Sequence, residues 1–439
     1  MERLKIDEII DNIRNFRPFK CISESEGFYI EIESYLPYIG GAIHGGHRLR
    51  KEIESKCNLS EFERWQEEDP YTDIFIKNFP IKIIGLDSRY EYDLNRDKEN
   101  CVYEDAWGKK VWAIELTKEE KAMSLAKYDE FYLVIGELIK TLEFMYEKVY
   151  VYDIHSYNYK RDSYAGRDLP LFNLGTTNLS KDKFSKDIDV FFNLLSKIKI
   201  KEHKNYTAEN DIFKGNGNFS KFITKISSKT VTYPLEIKKV FCDENTGEHH
   251  IEIINNIEEE LNKVIKTHIK ELPEEFSIYF LNNFCGNIED LSYEESKKIC
   301  ALVSENFRKS NEGEYSKDEI ERLVSTRTPE AIIERNKKGL LIYFKNKKDE
   351  VIACGSVTTR NGDPEAKLLN VSKNYRGRGF AQKICDLRED FLRKLGFDKL
   401  YIESLKFENT IRFHTKRGFI PAQTDRPLKY SVFMCKKLF

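Results

Sequence analysis

Leu368-Leu369-Asn370-Val371-Ser372-Lys373-Asn374-Tyr375-Arg376-Gly377-Arg378-Gly379-Phe380-Ala381 decides how the C-terminal part of this chain is read. Apolar residues at the start mark a strand, the run 381–395 has helical spacing, and two glycines sit at the junction. A strand handed to a helix through glycines is suited to an anion. Glycine lets the backbone approach a pyrophosphate, and first-turn N–H groups are donors without intrahelical partners. Arg376 and Arg378 add positive charge to the same place. An ordinary tight turn is the competing reading.

Working outward, the strand 366–371 is preceded by strands at 339–344 and 351–358, joined by the turn-like Asn346-Lys347-Lys348-Asp349. Helices fit 293–307 and 316–323, a short strand fits 276–281, and another strand fits 399–404. The chain has 439 residues, enough for two domains with separate cores. The boundary is expected near Leu272-Pro273, where the charged amphipathic helix 251–269 must stop, giving domains 1–272 and 273–439. In the first of these, strand-like patches at 81–84 and 149–154 flank helical spacing over 130–148, and a helix fits 187–198. The alternation predicts an α/β sandwich with polar residues gathered at strand ends.

Composition narrows the class. There are 72 Lys and Arg against 74 Asp and Glu, a formal net charge of -2, with the basic residues dispersed. No nucleic acid partner is expected. Neither a secretory start nor an apolar run of membrane-spanning length is present, so no membrane partner is expected. Nine cysteines without close CxxC spacing suggest reduced thiols and a cytoplasmic protein.

The segment 369–419 resembles the GNAT acyltransferase family. The matching pieces are Val371, the Arg-x-x-Gly-x-Ala core at 376–381, Leu395-Gly396-Phe397, the strand 399–404 and Arg412-Phe413-His414-Thr415-Lys416-Arg417-Gly418-Phe419. This resemblance implies an α/β GNAT fold over about residues 275–439 and acetyl-CoA as donor. It implies that Arg376, Gly377, Arg378, Gly379, Phe380 and Ala381 hold the pyrophosphate, with pantetheine beside Leu369 and Val371. His414 stands where the family often has tyrosine; an imidazolium acid and a buried packing residue both remain open. Glu403 is the candidate base.

The N-terminal half carries a second set of chemical groups. Ile43-His44-Gly45-Gly46-His47-Arg48 puts two imidazoles on a glycine-rich turn. Glu67-Glu68-Asp69-Pro70-Tyr71-Thr72-Asp73 supplies acids, and Asp153-Ile154-His155-Ser156 ends a strand. Two histidines and a carboxylate, with one position open to water, form the usual hydrolytic zinc site. Surface or hydrogen-bonding roles are the competing reading for such residues.

In order along the chain, these pieces resemble the N-formylglutamate amidohydrolase family. The resemblance also takes in Ser88-Arg89-Tyr90-Glu91-Tyr92-Asp93-Leu94-Asn95-Arg96, Asn173-Leu174-Gly175-Thr176, Phe213-Lys214-Gly215 and Leu235-Glu236-Ile237. It implies a three-layer α/β/α, zinc-carboxypeptidase-like domain with a mixed sheet. By this resemblance His44, Asp69 and His155 bind zinc, with Glu68 and His47 as rivals and Asp153 orienting His155. Glu236 moves the proton, and Arg89, Asn95 and Arg96 grip a substrate carboxylate; pairing of the arginines with Asp87 and Asp93 is the structural alternative. His47-Arg48 departs from the family, so the substrate can differ from formylglutamate.

Together the two resemblances imply a bifunctional enzyme acting on a small N-acyl amino acid or peptide-like molecule. One site would free an amine, and the other would acetylate one. The alternatives are a carboxypeptidase-like amide hydrolase coupled to acetylation, or an acetyltransferase with a metal-free N-terminal binding module.

Overall fold

The computed structural model describes residues 1–179, 181–271, 276–284, 291–310, 315–406, 408–425, 428 and 431–439. The chain divides into two compact units, Met1–Pro273 and Glu274–Phe439. The boundary expected at Leu272-Pro273 lies outside the described residues.

The first unit is built on a nine-stranded mixed sheet. In spatial order its strands are Arg3–Leu4, Phe19–Ser23, Phe28–Ile32, Ile81–Gly85, Tyr38–Ala42, Val149–Tyr157, Thr230–Lys238, Phe172–Leu174 and Thr207–Glu209. The central strands Ile81–Gly85, Tyr38–Ala42, Val149–Tyr157 and Thr230–Lys238 are mutually parallel. Register puts Gly41 beside Asp153 and Glu236 beside His155. Val149–Tyr157 is buried along its whole length, as a strand covered on both faces must be. Successive glycines show the two covers: a Cβ on Gly40 would strike Phe79 and Ile76, whereas one on Gly41 would meet Phe219. The unit is therefore a three-layer α/β/α sandwich around a mixed sheet.

The helix expected over 130–148 runs instead over Lys118–Met145. Its first three turns are largely polar, so apolar spacing did not reveal them. They are started by a capping box, in which the Thr117 side chain accepts from Glu120 N and Glu120 accepts from Thr117 N. Such a cap contributes about 1 kcal/mol. The other long helices are Lys181–Leu195, Asn218–Ile226 and Ile251–Glu271. Among the described residues no helix is long and apolar enough to cross a membrane.

The second unit has a seven-stranded sheet, in order Phe276–Asn282, Gly339–Asn346, Val351–Arg360, Asp363–Val371, Lys399–Leu405, Ser431–Lys437 and Ile420–Pro421. The helices Tyr293–Ser310 and Lys317–Ser325 are joined by a third, Pro329–Asn336, which the sequence reading did not separate from its surroundings. Phe380–Lys394 packs its apolar face on the sheet through Phe380, Ile384, Leu387, Phe391 and Leu392. Asp363–Val371 and Lys399–Leu405 are the parallel neighbours, paired at Glu365 with Tyr401 and Ala366 with Ile402. Cys354 and Cys385 are buried free thiols.

The core of the first unit contains a titratable group. His268 is 0% exposed among Tyr150, Tyr152, Phe191 and Tyr233. Its Nε2 lies 3.0 Å from the Asp187 carbonyl, which can only accept, so Nδ1 accepts from the Tyr152 hydroxyl at 2.7 Å. Burial pushes its pKa down to about 4, against the opposing pull of that carbonyl. The unfolded chain takes up this proton near pH 6.5, so folding stability falls as pH drops from there towards 4. Urea denaturation at pH 5 should show the first unit about 2 kcal/mol less stable than at pH 7 on this account. His268→Gln should flatten that slope; an unchanged slope would remove His268 as its source.

Candidate functional site

In the first unit the residues of interest gather where the parallel central strands end. His44 follows Tyr38–Ala42 by two residues, and His155 lies near the end of the adjacent Val149–Tyr157. Ligand sites in open α/β sheets form at such carboxyl ends, where loops diverge. The His44 loop then crosses tightly over the next strand's exit. A Cβ on Gly46 would lie 2.3 Å from the Leu86 carbonyl carbon, which no side chain could tolerate. Asp69 arrives from the segment after the helix Glu61–Glu67, with its N–H bonded to the His44 carbonyl at 3.0 Å.

Three side chains converge there. Asp69 Oδ2 lies 3.0 Å from His155 Nδ1 and 3.3 Å from His44 Nδ1, and Ser156 donates to Asp69 Oδ1 at 3.1 Å. His44, Asp69 and His155 are all buried and each offers a ligand atom, all within 4.8 Å of one another. The far edges of the rings meet carboxylates: His44 Nε2 is 2.8 Å from Asp93 Oδ1, and His155 Nε2 is 2.9 Å from Asp153 Oδ1. The close approach of His44 Nδ1 to Asp69 lacks hydrogen-bond alignment, leaving that buried nitrogen without a hydrogen-bond partner.

Electrostatics follow from this packing. Burial would raise the Asp69 carboxyl, but the hydrogen bond from His155 and the close approach of His44 outweigh it and hold the group well below the carboxylate range. Asp93 is likewise lowered, with Arg89 and His44 overcoming its burial. His155 is raised despite burial, chiefly by Asp153. Glu236, opposite His155 in the sheet, is pushed up to about 8 by burial, a rise that Asp69 and Asp153 reinforce and His155 opposes.

The rival ligands point elsewhere. Glu68 is bound by the Ser88 hydroxyl and by His47 Nδ1 at 2.5 Å, and neither joins the convergent group. Lys239 fixes the same segment, donating to the carbonyls of Gln66 at 2.6 Å and Glu68 at 2.8 Å. Arg89 is pinned by Asp93 through Nε (3.0 Å) and Nη2 (2.7 Å), which is half of the structural alternative raised above. Asp87 instead takes Lys127, Tyr92 and Arg48. Arg96 Nε reaches the Tyr103 hydroxyl at 3.3 Å, and Asn95 Oδ1 accepts from Phe219 N at 3.3 Å. Asp93 as the partner of His44 escaped the sequence reading, although it sits inside the quoted Asp93-Leu94-Asn95-Arg96 run. Tyr103 carried no motif at all.

In the second unit, Gly377 (φ +79°) and Gly379 (φ +85°) shape the entry to helix Phe380–Lys394. A Cβ at either glycine would meet nothing within 4 Å, so conformation alone calls for glycine there. No side chain caps the helix, so the N–H groups of Phe380, Ala381 and Gln382 are left for an anion. Upstream, Leu368 has φ +52° and the ladder to Val351–Arg360 shifts register between Cys354 and Ser356, which makes a β-bulge in the strand bearing Leu369 and Val371.

Arg376 donates to the Val371 carbonyl at 3.2 Å and to Asn306 Oδ1 at 3.0 Å, tying the loop to the strand. Asn306 was not anticipated from the sequence. Arg378 lies over the Tyr375 ring at 5.1 Å. Phe380 packs its ring on Phe276, Phe344 and the loop's own Tyr375. His414 is buried between Phe413 and Phe419, and burial lowers it to about 4, with Arg388 and Arg417 adding to the effect. It is neutral at pH 7, so the packing role suits it better than an imidazolium acid. Glu403 is exposed on Lys399–Leu405 and accepts from the Ser431 hydroxyl at 2.7 Å.

Comparisons with known proteins give two matches. Residues 36–239 match the family model described as N-formylglutamate amidohydrolase, and residues 299–419 match that of the acetyltransferase (GNAT) family. Among solved structures, the N-formylglutamate amidohydrolase from Ralstonia eutropha JMP134 is 15% identical (TM-score 0.46), with 56% of this chain and 99% of that one covered. The PaiA N-acetyltransferase from Thermoplasma acidophilum, solved with coenzyme A, is 18% identical (TM-score 0.31), with coverage of 37% and 99%. A GNAT acetyltransferase from Staphylococcus aureus Mu50 is 15% identical (TM-score 0.30), with coverage of 37% and 100%. No curated protein matches the sequence. The chain thus joins an N-formylglutamate-amidohydrolase-like domain to a GNAT-family acetyltransferase domain.

Proposed function

We propose that this chain is a bifunctional enzyme: a zinc-dependent amidohydrolase for an N-acyl (for example N-formyl) amino acid or small peptide-like molecule, and an acetyl-CoA-dependent N-acetyltransferase. The observation that carries the first half is the approach of two imidazole Nδ1 atoms to one carboxylate oxygen, at 3.0 and 3.3 Å. Ligands on a tetrahedral zinc with bonds of about 2.0–2.2 Å lie about 3.4 Å apart, so the donor set fits that ion.

His44, Asp69 and His155 are the residues that would hold the ion. Held by them, zinc would supply a water acidified towards a pKa of about 7 and polarisation of the amide carbonyl. Asp93 hydrogen-bonds the His44 ring from behind, and Asp153 lies against the far nitrogen of His155. Glu236 takes a proton and returns it to the departing amine, a task suited to a carboxyl raised towards neutrality. Arg89, Asn95 and Arg96 grip the substrate's carboxylate; Asn95 Nδ2 and the Arg96 Nη groups have no hydrogen-bond partner among the described residues.

In the acetyltransferase domain, the uncapped helix start would take the cofactor's pyrophosphate. The edge between 367–371 and 403–405 would admit pantetheine, because the two parallel strands pair only at residues 365–366 and 401–402. An amine attacking the thioester carbonyl would break its C–S bond and release coenzyme A, whose thiolate takes up a proton as the amine loses one; orientation would supply most of the advantage. Glu403 is our candidate for removing the amine proton. The domains' joint task would be to free an amine and acetylate that product or a close relative. Purified protein that converts an N-formyl amino acid only to the free amine, with acetyl-CoA present, would argue against coupling.

Two variants separate the sites. His155→Ala should lose bound zinc by metal analysis and lower amide cleavage by about 100-fold or more, while acetyl-CoA binding by calorimetry is unchanged. Full hydrolysis in that variant, or no metal in the wild type, would sink the hydrolase mechanism. Gly379→Val forces a β-branched residue into positive φ and should weaken acetyl-CoA binding about tenfold or more with hydrolysis intact. Undiminished acetyltransferase activity there would break the assignment of the loop.

A further inference from the structure

The segment between Arg96 and the helix Lys118–Met145 contains a minimal hairpin, Asp105–Ala106 paired antiparallel with Lys109–Lys110. Its two turn residues, Trp107 (φ +49°) and Gly108 (φ +77°), are both left-handed, as a type I′ turn requires. Glycine is at home in such a turn. A tryptophan is not, and a bulky residue held at positive φ persists only where its surroundings enforce it, which concentrates such residues at functional sites.

The surroundings of Trp107 are specific. Its ring meets Tyr90 at 5.7 Å and Tyr103 at 5.6 Å, both edge-on, and the Arg89 guanidinium carbon lies 4.9 Å from its centroid. Trp107 nevertheless remains 39% exposed. Arg89 spends three of its donors in place: Asp93 takes Nε and Nη2, and the Glu67 carbonyl takes Nη1 at 3.0 Å. Of the five N–H groups of a guanidinium, one on Nη1 and one on Nη2 are then left without a partner among the described residues. Tyr103, the other wall of the aromatic cluster, donates to Asp93 and receives Arg96 Nε.

We infer that Trp107 is a positioning residue that holds the Arg89 guanidinium, over one face, in the plane that receives the substrate's carboxylate. Asp93 and Glu67 restrain the group at its edges, and the indole prevents it from tilting out of plane. A guanidinium fixed in this way presents its remaining N–H groups to two carboxylate oxygens, the geometry in which arginine excels. This inference rests on the amidohydrolase reading above and on Arg89 meeting the substrate's carboxylate there; it adds the residue that sets the guanidinium's plane.

The test compares N-formyl amino acids with their C-terminal amides as substrates for the wild type, Trp107→Ala and Trp107→Phe. Trp107→Ala should raise KM for the carboxylates about tenfold, the scale of one desolvated cation–π contact, with kcat nearly unchanged. Trp107→Phe should recover most of that loss, and the amides should respond to neither change. An unaltered KM, an equal loss for amides, or a fall in kcat alone would overturn the assignment. Should the wild type hydrolyse none of these compounds, the amidohydrolase reading fails by itself. Calorimetry with N-formyl-L-glutamate then decides the clamp: about tenfold weaker binding in Trp107→Ala supports it. Equal binding in both proteins, or none by the wild type, overturns it.

Discussion

His44 has a buried carboxylate on each side, Asp69 at Nδ1 and Asp93 at Nε2, and the architecture of the first site depends on that arrangement. Removing a carboxylate from water costs several kcal/mol even after the protein relaxes, so each buried acid must be surrounded by donors or charge. Asp93, 0% exposed, receives Arg89, Tyr103, the Asn95 N–H and His44. Asp69 receives His155 and Ser156. The loop after Ile81–Gly85 and the segment after Glu61–Glu67 are thereby locked to the strand ends that carry the imidazoles. Neither can shift without stranding a charge.

The same requirement explains why Arg89, the residue proposed to grip substrate, is so heavily engaged. Arg89 serves the buried acid first and can serve a ligand only with the donors left over. On the proposed reading, residues that stabilise the fold and residues that would bind substrate are partly the same groups, used at different edges. Lys239 illustrates the other solution. Its buried ammonium is spent on two backbone carbonyls of the segment that carries Asp69, and burial lowers its pKa.

The acetyltransferase domain relies on backbone rather than buried charge. Its proposed anion site would consist of helix N–H groups exposed by two left-handed glycines, beside an opening where two parallel strands pair with each other only briefly. Arg376 reinforces this geometry by binding the Val371 carbonyl and Asn306, a structural task for a side chain whose charge suggests ligand contact. His414 shows the same shift of role. Enclosed by aromatic rings and near two arginines, its imidazole stays neutral where the sequence left a cationic acid open.

Patterns local in the chain were legible from residues alone: the strand-glycine-helix run at 368–381, the helix 251–269, the strand ending in Asp153-Ile154-His155, and the presence of two unlike chemistries. Local rules also carry the capping box at Thr117, which was readable and simply outweighed by weak apolar spacing. Tertiary structure decided what depends on contacts between distant segments. It chose Asp69 over Glu68, because Glu68 turns towards Ser88 and His47. It set Asp93 against His44 across 49 residues and brought Trp107 onto Arg89. Sequence fixes which groups a segment can offer and the period on which they face inward; which imidazole each of two neighbouring carboxylates meets is settled by strand register and loop closure, and these exist only in the folded chain.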